Sequence, residues 1–197
     1  MMAEVNFGSD GDFSDRAMTL KVNNNLANEL GNLCQRTLSL VFKNCDKAVP
    51  VTIGSFTKDD EELLANARGL YSKASAAVAE QAIQKYANVM IEMVWDANKY
   101  IDEMAPWVLR KQDPERMATV LYVLMEVLRY VAILYQPIMP TSANKILDQL
   151  SVPKDERTFA HLANESFGIK LGTPIPKPVG VFPRIEIPSE AFVESRP

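Results

Sequence analysis

The sequence predicts an all-α protein, a helical bundle that ends in an extended, proline-rich tail. Three observations predict it. Apolar or small residues recur at spacings of three and four from Ala17 to Val41, the helical period. An almost unbroken apolar run fills Val120 to Tyr135, as a fully buried helix requires. Prolines at 106, 114, 137 and 140 punctuate the rest at positions that start or stop helices, and beyond Gly172 they become too dense for helix at all. At 197 residues and 47% hydrophobic composition, the chain is long enough for one medium domain or a bundle with an appendage.

The elements follow in order. Ser14 or Asp15 caps a first helix that runs to about Cys45, with Ala17, Leu20, Ala27, Leu30, Cys34, Leu38 and Val41 on its inner side. The segment from Glu4 to Phe13 is a turn-rich lead-in, and Asp10-Gly-Asp12 within it lacks the later ligands of a calcium loop. After the loop that begins at Val49, Thr57 with Asp60 and Glu61 forms an acidic N-terminus for a second helix to about Glu80. A third spans about Gln84 to Met104 and includes Trp95 among Ile91, Met93 and Val94, where the expectation is a core residue. Pro106 ends it and leaves Trp107 near its exit. Pro114 opens a fourth helix, which Gln136-Pro-Ile-Met-Pro140 stops, and Thr141 to Leu150 reads as a short fifth. Gly172 to Glu186 is extended.

Composition also excludes functions. A net charge of −4 argues against a surface that coats phosphates generally, so any nucleic-acid contact has to be local. Cys34 and Cys45, on one helix, stand about 16 Å apart and read as reduced core residues. The N-terminal residues lack a signal peptide's basic start and apolar core, and the expectation is a soluble, intracellular chain. The single histidine, His161, has no cysteine or carboxylate at ligand spacing and reads as an ordinary helix or loop residue. Glu29, Asp102 and Glu103 have no nucleophile to serve and read as solvated or capping groups. There is no glycine-rich phosphate loop and no nucleophile elbow. A diiron bundle would need glutamates paired with histidine, which are absent.

Against that sparse inventory, Val22 to Arg36 stands out. Asn23, Asn24, Asn25, Asn28 and Asn32, together with Gly31, cost helix stability that propensity alone would not choose. On a continuous α-helix, Asn25, Asn32 and Arg36 fall within roughly 40° of one another over about 16 Å of axis. Amides and a guanidinium are suited to base edges, and Trp107 offers a face on which an unstacked base can lie. Taken singly, each feature has a blander reading: a solvated face for the asparagines, a wedge at a helix end for Trp107.

Five segments in a fixed order sharpen this. Phe7-Gly-Ser-Asp-Gly-Asp-Phe-Ser14, the stretch from Asn25 to Arg36, the stretch from Asn98 to Trp107, Gln136-Pro-Ile-Met-Pro140 and Phe182-Pro-Arg-Ile-Glu186 resemble the C-terminal part of methionyl-tRNA synthetases. The resemblance covers about residues 3 to 187 and is strongest to the bacterial and organellar type. It implies the antiparallel helical-bundle anticodon-binding domain of the class Ia synthetases, which in that family recognises the CAU anticodon of methionine tRNA. It places the family's anticodon readers on Asn25, Arg36 and Trp107. Arg110 and Lys111, just beyond Trp107, are placed by position and charge to hold neighbouring phosphates.

The resemblance also implies what is missing. The family's H-I-G-H and K-M-S-K-S signatures, which bind ATP and activate methionine, do not occur in this sequence. The expectation is therefore a chain inactive in aminoacylation, with no catalytic residue, metal or cofactor of its own, whose parent enzyme uses ATP and Mg. Residues 1–13 read as a lead-in from a catalytic domain, 14–150 as the bundle and 151–197 as a C-terminal extension carrying the tail. Expected partners are methionine tRNA and the enzyme's catalytic domain, with no membrane and no DNA, in a cytoplasmic or organellar compartment. The alternative from another class is a bundle that has lost RNA binding and acts as an interaction module, which the acidic balance favours.

Overall fold

One helical rod opens the structure, built from α1 (Asp15–Lys21), a π-helical segment (Val22–Gly31) and α2 (Asn32–Asn44). Backbone angles at both joints, Lys21 and Asn32, stay in the right-handed helical region, so the rod is unbroken. This computed structural model describes residues 15–163 and 167–186. The Phe7–Ser14 motif, the lead-in over residues 1–13, the Asp10-Gly-Asp12 turn and a cap at Ser14 lie outside them.

Four further expected helices are present: α3 (Lys58–Ala79), α4 (Ile83–Met104), α6 (Pro114–Tyr135) and α7 (Pro140–Gln149). A fifth, α5 (Pro106–Gln112), sits between α4 and α6. It was not expected, because Pro106 reads as a stop; here it is the first residue of a new helix, where its missing N–H costs nothing. Two 3₁₀ turns, Lys154–Glu156 and Phe159–Leu162, follow α7. No strand occurs among the described residues, only one antiparallel bridge between Ala48 and Pro174.

The core is α6 with α3 and α4 against it. Leu121, Leu124, Leu128, Val131 and Ile133 of α6 are wholly buried, as are Ala67 on α3 and Met90, Val94 and Ala97 on α4. Tyr86 of α4 donates to the Leu134 carbonyl at the far end of α6, while Tyr100 of α4 and Arg116 of α6 meet at Asp60 of α3. Those pairings make α4 antiparallel to both neighbours. Helix α6 is also long and apolar enough to cross a membrane, but 89% of that stretch is buried inside the bundle. It is the core helix.

Polar groups inside this core were not legible from periodicity. Thr57 and Asp60 form the expected capping box at the start of α3. Asp60 is in addition fully buried, accepting from Tyr100, from both terminal nitrogens of Arg116 and from the Thr57 backbone N–H. Burial alone would raise its pKa, but these hydrogen bonds hold the carboxyl below the usual carboxylate range. On α6, buried Arg129 and Glu126 form an ion pair, and Glu126 also accepts from the Ile169 backbone N–H, pinning residues 167–170 to the helix.

The extended tail is not loose. Val49 N–H donates to the Thr173 carbonyl at 2.8 Å, Ile175 N–H to Lys47 at 2.8 Å, and Val179 N–H to the buried Gln149 side chain at 2.7 Å. Ile175 and Val181 bury against the bundle. The tail then reaches the first rod. Phe182 lies against Gly31, where an added Cβ would stand 3.5 Å from the ring and 3.0 Å from the Leu26 carbonyl.

Candidate nucleic-acid interface

Arg36, in the first turns of α2, projects from the rod toward the C-terminal end of α4. Its Nη2 donates to an Asp102 carboxylate oxygen at 2.5 Å, and its guanidinium carbon lies 5.2 Å from the centroid of the Trp107 ring. Trp107 reaches that position through a backbone device. Ala105 takes a left-handed conformation (φ +44°), which ends α4 and redirects the chain into α5. Pro106 then buries, and Trp107 is left 40% exposed over Arg36. A non-glycine residue in that region costs roughly 1–2 kcal/mol, strain that recurs at binding sites.

The electrostatics suit a displaceable arrangement. The Arg36 side chain is 38% exposed and that of Asp102 64% exposed. Such a pair contributes about 0–1 kcal/mol, and a cation over an exposed ring about 0.5–1 kcal/mol. The contacts orient the guanidinium rather than stabilise the fold. Asp102 is thus a partner of Arg36 and not merely a solvated residue. Arg110 and Lys111 follow Trp107 by three and four residues on α5, the spacing that shares a helix face, and both are exposed. A flat aromatic, a fork of donors and two cations accordingly occupy one exposed corner of the molecule.

Asn25 is placed differently. It is half-buried in the π segment, roughly 15 Å along the rod from Arg36. Bonding from each residue to the fifth before it puts roughly one more residue in every turn than an α-helix has. The alignment of Asn25 with Arg36 calculated for a continuous α-helix therefore fails across Val22–Gly31. Asn32, exposed and one α-helical turn before Arg36, keeps its alignment.

Asn23 and Asn28 of the asparagine row serve the tail. The Asn23 amide donates to the Ile185 carbonyl and accepts from the Ile185 N–H, both at 2.9 Å. Arg184 donates to Asn28 at 2.7 Å. Glu29 accepts from Asn98 of α4 at 2.9 Å. Sequence reasoning missed these partners because they come from residues far along the chain.

Trp95 is a further correction. It is 49% exposed and not in the core, since Met93 and Val94 take the inward positions of α4. His161 accords with its ordinary reading, contacting Thr158 and packing edge-on against Phe167 at 4.4 Å. Among the described residues no cluster of metal-ligating side chains occurs. Burial pushes the Cys34 thiol up to about 12, which makes it inert.

Residues 49–194 match the family described as the anticodon binding domain of methionyl tRNA ligase. The chain belongs to that family. The methionine–tRNA ligase of Rhizobium meliloti is 45% identical over 95% of this chain and 36% of its own length. That of Mycobacterium tuberculosis H37Rv is also 45% identical, over 95% of this chain and 36% of its own length. Two solved structures agree in fold. The apo form of M. tuberculosis methionyl-tRNA synthetase superposes with a TM-score of 0.90 at 44% identity, covering 95% of this chain and 38% of that one. The same synthetase in complex with methionyl-adenylate gives 0.88 at 44% identity, over 93% and 36% of the respective chains. This methionyl-tRNA ligase anticodon-binding domain thus spans about a third of the length of the relatives it matches.

Proposed function

We propose that the chain recognises the CAU anticodon of methionine tRNA and, with a catalytic domain, serves an enzyme that joins methionine to tRNA using ATP and Mg. The observation that carries this reading is the convergence of Arg36 and Trp107 from separate helices onto one exposed corner of a domain of this family. Trp107 stacks an unstacked anticodon base, which is worth about 1–3 kcal/mol. Arg36 gives its fork to a base edge or phosphate as it leaves Asp102, and Arg110 and Lys111 hold the adjoining phosphates. Asn25 supplies an amide further along the rod, where a different nucleotide of the loop lies. Residues 1–13 serve as the lead-in from the catalytic domain, 14–150 as the recognition bundle and 151–197 as the C-terminal extension with its proline-rich tail. Duplex DNA offers no splayed base to Trp107 and is not a ligand. The compartment is one in which translation occurs, cytoplasmic or organellar.

Titrating a CAU-loop hairpin and methionine tRNA, each against a counterpart with a changed anticodon, tests the reading. Tighter binding of the CAU forms is expected; equal binding of both loops would sink it.

A further inference from the structure

Arg36 and Trp107 sit on different elements, and what fixes their relative position has to survive RNA binding. Their direct tie through Asp102 is exposed on both sides and is surrendered when a nucleotide takes the guanidinium. A second tie lies deeper between the same two helices. Asn98 Nδ2 donates to a Glu29 carboxylate oxygen at 2.9 Å and approaches the Glu29 backbone carbonyl at 3.5 Å. Both residues are half-buried. Asn98 lies one turn of α4 before Asp102, and Glu29 about two turns of the rod before Arg36. The rod and α4 therefore run in the same sense here, with two rungs between them.

The position of Glu29 gives the inner rung its meaning. It falls in the last turn of the π segment, three residues before the rod returns to α-helix at Asn32, and the Asn32 N–H bonds to its carbonyl. A change from π to α bonding upstream would rotate everything after it about the rod axis, and would swing Arg36 off Trp107. A hydrogen bond at the junction resists that rotation. The same α4 runs through Ala105 into α5, so it is the frame that holds Trp107.

We propose that Glu29 and Asn98 are positioning residues for anticodon recognition: their hydrogen bond fixes the rotation of the first rod against α4 and so presents Arg36 to Trp107 whether or not Asp102 holds it. This deepens, and rests on, the anticodon-binding reading above. The test measures CAU-hairpin affinity of the full chain alongside the indole N–H resonance of Trp107 in the RNA-free protein.

Glu29→Ala and Asn98→Ala are each expected to weaken CAU binding roughly tenfold, the size of one lost hydrogen bond. Each is also expected to move the free Trp107 resonance. The double variant is expected to be no worse than either single one, because both remove the same interaction. Glu29→Gln, which keeps the acceptor oxygen, is expected to restore both readouts. Wild-type discrimination with unchanged affinity in both alanine variants overturns the positioning role and leaves the reading intact, whereas a wild type that ignores the anticodon fails the reading itself. Glu29→Gln behaving as Glu29→Ala, or the two alanine effects multiplying in the double variant, also overturns it. If Glu29→Ala does not fold, Asn98→Ala and Glu29→Gln carry the same comparison.

Discussion

Trp107 and Trp95 make a controlled pair at the scale of single residues. They lie on consecutive helices with similar exposure, 40% and 49%, yet Trp107 has a guanidinium beside its ring and two cations a turn beyond. Trp107→Ala is expected to weaken CAU-loop binding by about 1–3 kcal/mol, the worth of one stacked base. Arg36→Ala should lose about 1.5–3 kcal/mol, as expected for a charged hydrogen bond. Both should leave the helical melting transition nearly unchanged, measured by circular dichroism. Loss of several kcal/mol of stability would mark them as structural residues. Trp95→Ala should change neither readout by more than about 0.5 kcal/mol, the usual range for surface substitutions. Residue type and motif order single out Arg36 and Trp107 in the sequence, and the structure brings the two side chains together. Their contact was not legible there, since it depends on the left-handed turn at Ala105, a residue with no conformational signature.

At the scale of elements, the first rod joins two structures rather than presenting one stripe. Its π segment holds the tail through Asn23, Asn28 and Gly31 and holds α4 through Glu29, while α2 carries Arg36. The asparagine row was legible as a cost in helix propensity, and for Asn23 and Asn28 the structure supplies partners in the tail. The sequence signal failed at the period, because the stripe assumes 3.6 residues per turn and the π-helical stretch Val22–Gly31 has more. The tail clasp has a direct consequence. Asn23→Ala removes both hydrogen bonds to Ile185, and the Ile185 amide is expected to exchange with solvent faster in that variant, read by hydrogen exchange. Unchanged protection would mean that the Arg184–Asn28 hydrogen bond and the packing of Phe182 and Val181 hold the tail without Asn23. The helix boundaries were read to within a few residues for the rod, α3, α4, α6 and α7, since prolines and caps act locally. Helix α5 escaped because a proline that stops one helix also starts the next.

Among the described residues the bundle is held by apolar burial around α6, with buried charge at Asp60, at the Glu126–Arg129 pair and at Arg157. The Asp60 cluster ties α3, α4 and α6 at one end, and removing one partner of such a buried pair costs about 3–5 kcal/mol. Its pH dependence has a definite sign. The folded pKa of Asp60 lies below its unfolded value, so its contribution is present above the unfolded value of about 4 and is lost as pH falls through the folded one. Asp60→Asn should therefore lower stability at neutral pH and flatten the loss of stability on acidification below about pH 4. Equal acid slopes in the two proteins, followed by denaturant unfolding, would show that the network does not set acid sensitivity. Nothing in the periodicity of α3 marked Asp60 as buried, since a capping carboxylate and a core carboxylate look alike in sequence.

The central claim is that the corner formed by Arg36 and Trp107 receives the anticodon. Following the two indole N–H resonances while a CAU-loop hairpin is added tests it most directly, because Trp95 serves as an internal reference in the same sample. The account predicts that the Trp107 resonance shifts in proportion to occupancy, that the Trp95 resonance stays in place, and that a hairpin with a changed anticodon moves neither at the same concentration. A bound CAU loop that leaves Trp107 unmoved, or that moves Trp95 alone, would contradict it.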